Sequence, residues 1–149
     1  MPFEDLLKQR AIEPAEVSQR DIAEHLRAAR HDITISLSVA SIDRDWAFNI
    51  AYNGILQTSI AYMNFLGYRP RGEGKHMNVF RFMKEALPDA LKDDMNKLQK
   101  LRQKRNRAVY ETRGIVSQME IDHICEFARQ FFEEMLLLLP KSYSKVLEV

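Results

Sequence analysis

Apolar residues recur at helical spacing over most of the chain. From Pro14 to about Ser41 they fall at Ile22, Leu26, Ala29, Ile33, Leu37 and Ala40, in steps of three and four, with Arg20, Glu24, Arg27 and Asp32 largely on other faces. The pattern predicts a first long helix opened by Pro14, after a short helical turn over Phe3 to Arg10. Asp43 is placed to cap a second helix, roughly Arg44 to Leu66, with Asp45 in its first turn and Gly67 at its C-terminal stop.

This second helix is apolar nearly all round: Trp46, Phe48, Ile50, Tyr52, Ile55, Leu56, Ile60, Tyr62, Met63, Phe65 and Leu66. A helix without a charged face is buried on more than one side, so it is either central to a bundle or also packed against a second subunit. Asn49, Asn53, Gln57 and Asn64 form a neutral polar seam along it. That seam suits a subunit interface or a polar pocket, or else its amides are satisfied inside the core.

Gly67 to His76 reads as a solvated loop carrying Arg69, Arg71 and Lys75. A short helix from Met77 to Leu87 follows, burying Val79, Phe80 and Met83, and Pro88 with Asp89 restarts the chain as a helix leading into a basic stretch. The last helix has the cleanest periodicity. Ser117 and Glu120 form a capping box, and Ile121, Ile124, Cys125, Ala128, Phe131, Phe132, Met135, Leu136 and Leu139 make one face. Pro140 ends it. Lys141 to Val149 shows no periodicity and is expected to be a free tail or one that reaches a partner. The whole predicts a single all-α domain, an up-and-down bundle of four long helices with an additional short one.

Composition narrows the class. With 46% apolar and 29% charged residues in 149, the chain is neither disordered nor fibrous. One cysteine, Cys125, excludes an intramolecular disulfide, and the start has neither a basic nor an apolar leader region, so a cytoplasmic protein is expected. Trp46 to Tyr68 is long enough to cross a bilayer, but its interrupting amides and hydroxyls argue for a buried helix and no membrane partner.

Charge changes the picture at one place. Between Lys97 and Arg113 seven basic residues face one acid, giving +6 in a chain whose total is +1. At about 100° per residue, Leu87, Leu91, Leu98 and Val109 share one direction, with Arg105 in the middle of that apolar stripe. A guanidinium there needs a carboxylate of the bundle, a phosphate, or a crevice between helices or subunits. Arg105, Asn106 and Tyr110 are therefore candidates to line a cleft for RNA or nucleotide phosphate. Lys97, Lys100, Arg102, Lys104 and Arg107 would supply a sequence-independent field, and His76, after the basic loop, is the histidine singled out as a further contact. No His or Cys pair has metal-ligand spacing, so neither a metal nor an organic cofactor is expected.

The helix order, Ala51-Tyr52-Asn53 with Leu66-Gly67-Tyr68-Arg69-Pro70, His76, and above all Arg105-Asn106-Arg107-Ala108-Val109-Tyr110 resemble the HEPN superfamily over about residues 15 to 140. Its signature is Arg, often followed by Asn, then His after four to six residues. The resemblance implies a homodimer, here through the second helix and the basic stretch. It also implies a metal-independent ribonuclease site across the dimer interface, and a place in a bacterial toxin–antitoxin or defence module, often beside a nucleotidyltransferase or a cognate toxin or antitoxin protein. Arg105 and Asn106 match the first part of the motif, but Tyr110, Glu111 and Thr112 stand at the three histidine positions. A tyrosine, with an ordinary pKa of about 10, is a poor general base at neutral pH. The expectation is a HEPN-type component that binds RNA, nucleotide or a nucleotidyltransferase with little or no nuclease activity. The alternatives are an active endoribonuclease using Arg105, Asn106 and Tyr110, and a structural helical partner in which Arg105 forms an internal ion pair.

Overall fold

The computed structural model describes residues 3–93, 96–97, 99–100, 103–104, 106 and 116–147. It is mostly helical. Among the described residues six helices run in the order α1 (Glu4–Lys8), α2 (Gln19–Val39), α3 (Arg44–Phe65), α4 (Lys75–Ala86), α5 (Gln118–Leu138) and α6 (Lys141–Leu147), with a 3-10 turn at Asp89–Leu91. Further residues at 92–93, 96–97, 99–100, 103–104 and 106 are helical and form the described part of the basic segment.

Local chemistry sets the long helices. Ser18 caps α2 by accepting from the Asp21 amide at 3.1 Å, and Asp43 caps α3 by accepting from the Trp46 amide, also at 3.1 Å. Ser117 and Glu120 make the expected reciprocal capping box at the start of α5. Gly67, at φ 97°, turns the chain out of α3 in a left-handed conformation that a side chain would strain.

Three expectations change. The first long helix does not open at Pro14: residues Ile12–Pro14 form strand β1, and α2 begins five residues later at Gln19. The segment after Gly67 is not all loop, because Tyr68–Pro70 forms β2, antiparallel to β1 with Ile12 opposite Pro70 and Pro14 opposite Tyr68. The segment after Pro140, in which no periodicity is legible, forms α6, burying Tyr143 and Leu147, with the Tyr143 ring edge-on to Phe65 at 6.2 Å.

The core is continuous. α2 and α3 form a long antiparallel hairpin, and Gly54 lets them close, since a Cβ there would stand 2.7 Å from Ile33 Cγ1 and 3.3 Å from the Ala29 carbonyl oxygen. α5 lies across both, burying Ile121, Ile124, Cys125, Ala128, Phe131 and Met135. At the other end Phe3 stacks on Phe82 at 4.5 Å and meets Tyr68 at 5.2 Å, tying the N-terminus to α4 and β2. No described helix is long and apolar enough to cross a membrane.

Two amides of the α3 seam are satisfied by α2. Asn53 Nδ2 donates to Asp32 Oδ2 at 2.7 Å, and Gln57 Oε1 lies 2.6 Å from His25 Nδ1. The Oδ1 atoms of Asn49 and Asn64 are buried and accept no hydrogen bond from the described residues.

Candidate nucleic-acid interface

Lys97, Lys100 and Lys104 follow one another at steps of three and four on the basic segment, so they share one helical face. On α5, Glu120, His123, Ile124 and Phe127 occupy the same kind of stripe. The two stripes meet in opposite senses. Lys104 Nζ lies 2.5 Å from Glu120 Oε2, and seven residues earlier Lys97 Nζ sits 5.5 Å from the centre of the Phe127 ring, seven residues after Glu120. Equal sequence steps in opposite directions mean that the basic segment runs antiparallel to α5 for about 10 Å.

A cleft of about 290 Å³ opens between them, lined by Lys97, Lys100, Glu120, His123, Ile124 and Phe127. Its floor is apolar, with Ile124 and Phe127 each 5% exposed, while Lys97, Lys100 and His123 are exposed. The acid in the cleft is already engaged. The Lys104 ammonium and the Ser117 amide both donate to the Glu120 carboxylate and hold its pKa below the usual value. Lys97 and Lys100 are left at the opening, with the Phe127 ring beneath Lys97. Two ammonium groups above an apolar floor suit phosphate oxygens, since the floor excludes water beneath them.

A larger concavity of about 620 Å³ lies between α1 and α4 and is lined by Asp5, Glu85 and Asp89 alternating with Arg81, Lys84 and Lys92. Alternating signs give it no preference for an anion. Among the described residues no group of three His, Cys, Asp or Glu converges to hold a metal ion.

Of the residues singled out from sequence, the structure gathers Lys97 and Lys100 in the cleft and places Lys104 at its end, tied to Glu120. Asn106 is helical and exposed. His76 stands in the first turn of α4, and no cleft residue belongs to α4. Arg102, Arg105, Arg107 and Tyr110 lie outside the described residues. Sequence reasoning missed His123 and Phe127 as cleft residues. The signal was present in the steps of three and four that join Glu120, His123, Ile124 and Phe127, hidden because His123 reads as part of a solvated face.

No family model, no curated protein and no solved structure matches the chain.

Proposed function

We propose that the chain is a HEPN-type helical component of a bacterial toxin–antitoxin or defence module, with the basic segment as the fourth long helix of its bundle and the cleft against α5 as an RNA-binding site. One observation carries this reading: Lys97 and Lys100 converge with His123 over the apolar floor of Phe127 and Ile124, while the carboxylate in the same cleft is neutralised by Lys104. Phosphate is held by the ammonium groups at the mouth of the cleft, and the apolar floor excludes water beneath them. Binding without cleavage accords with Tyr110 standing where the superfamily motif carries histidine.

The test is titration of a single-stranded RNA in EDTA across a salt series. The expected result is intact RNA and an affinity that falls steeply with salt. The double variant Lys97→Glu, Lys100→Glu should reduce the salt slope by about two and lower affinity at least about tenfold at low salt. Salt-independent binding, or binding unchanged in the double variant, would overturn the site. Cleavage of the RNA that is lost in Arg105→Ala would instead establish the active endoribonuclease.

A further inference from the structure

The basic segment and α5 touch across both ends of the cleft between them. Lys104 bonds Glu120 at one end, Lys97 lies over the Phe127 ring at the other, and the two crossings stand about 10 Å apart. The same register sets Lys100 between them, opposite Ile124 and beside His123. The space so bounded, about 290 Å³, is at the lower limit for a small-ligand site and has room for one end group, not for a run of nucleotides. Its charge is one-sided. Of the acids on α5 near it, Glu120 accepts from Lys104, Asp122 from Gln118, and Glu126 from Arg129 and Gln130. On the basic segment Asp93 stands one turn before Lys97 and does not line the cleft. Among the described residues, Lys97, Lys100 and His123 are left in the cleft without a carboxylate partner.

We infer that the cleft takes a phosphate monoester, the phosphorylated end of an RNA strand, in preference to the diesters within the strand. The inference rests on the reading of the cleft as an RNA site and names the part of the RNA it holds. A diester carries one charge and offers two free oxygens, while its two ester oxygens lead chain away in both directions. Both crossings stand in the path of a chain running along the cleft. A terminal monoester carries nearly two charges at neutral pH and has three free oxygens. Lys97 and Lys100 match the two charges. Together with His123 they also match the three oxygens, since imidazole keeps one N–H donor even when neutral. The buried floor of Ile124 and Phe127 strengthens these attractions by keeping water from beneath them. A free mononucleotide offers the same chemistry, so the strand end and the nucleotide are separated by experiment.

Fluorescence anisotropy in EDTA at low salt should compare one short, internally labelled single-stranded RNA in three forms: with a 5′-phosphate, with a 3′-phosphate, and with hydroxyls at both ends. One phosphorylated form should bind at least about tenfold more tightly than the hydroxyl form. That preference should fall to about twofold or less in Lys100→Ala and in His123→Ala, with circular dichroism checking that each variant is folded. If 5′-AMP binds as tightly as the phosphorylated strand, the ligand is the free mononucleotide and the strand end is overturned. Equal, salt-dependent binding of all three forms, weakened by the double variant Lys97→Glu, Lys100→Glu, would overturn the inference and leave the cleft as a site for the strand interior. Salt-independent binding of every form would overturn the RNA reading itself. A preference untouched by Lys100→Ala and His123→Ala would overturn the inference by placing the strand end on another surface.

Discussion

Lys104 Nζ and Glu120 Oε2 lie 2.5 Å apart, joining the basic segment to the first turn of α5, with the two side chains 24% and 42% exposed. Glu120 serves two structures at once. Its Oε1 accepts from the Ser117 amide in the capping box, and its Oε2 accepts from Lys104. The same carboxylate therefore starts the helix and sets where the basic segment lies along it.

The pH dependence follows. The folded-state pKa of Glu120 is lowered, first by the hydrogen bond from Lys104 and then by the Ser117 amide. A carboxyl depressed on folding contributes stability above its unfolded pKa and loses it as pH falls through the folded value. Glu120→Gln keeps the capping geometry and removes the charge, so it should cost only about 0.5 kcal/mol at pH 7, the pair being partly exposed. Glu120→Ala removes both and should cost about 1–2 kcal/mol. Urea unfolding at pH 7 and again in acid should show the wild-type advantage over Glu120→Gln shrinking as the carboxyl protonates. An advantage that persists in acid would place the effect elsewhere.

Gly54 tests the hairpin. A methyl group there meets Ile33 Cγ1 at 2.7 Å, and Ile33 is 6% exposed within the core. Alanine favours a helix by about 1 kcal/mol over glycine, whereas overpacking a close helix contact costs about 1–3 kcal/mol. Gly54→Ala should therefore lower stability by up to about 2 kcal/mol, and combining it with Ile33→Ala, which removes the colliding Cγ1, should cost less than the two changes summed, by a double-mutant cycle in chemical denaturation. Strict additivity would show that the two residues do not collide.

Cys125 should be inert in the native protein. It is buried on α5 with Ser36 Oγ 3.6 Å from its sulfur, and burial pushes its thiol up above the ordinary range. Reaction with an aromatic disulfide at pH 8 should be slow in buffer and rapid in denaturant, because the thiolate is the nucleophile. Equal rates in both would place the sulfur at the surface.

The long helices were legible because their signals are local. Asp43, Ser117 and Glu120 lie within one turn of the amides or side chains they engage, and the α5 stripe repeats over five turns. The β-ribbon was not legible. Three residues in each strand are too few for an alternating pattern, and Ile12 and Pro70 are partners across the whole α2–α3 hairpin that separates them in sequence. α6 was missed for a related reason: seven residues with two buried side chains, Tyr143 and Leu147, carry too little periodicity to stand out. In the site, the lysines were legible as charge. The face they meet was not, because pairing Lys104 with Glu120 depends on the separation of two helices and not on spacing within one.

The ribbon of β1 and β2 has a topological effect. It fastens the chain just before α2 to the chain just after α3, with Arg69 Nε donating to Glu13 Oε1 at 2.5 Å across the rungs. The entire hairpin is thus a closed ring, clasped without a covalent bond. Sliding α2 along α3 by one turn would move the two ends of the ring apart by about 5 Å and tear the clasp. The register that sets Asn53 beside Asp32 and Gln57 beside His25 is locked from a point outside either helix.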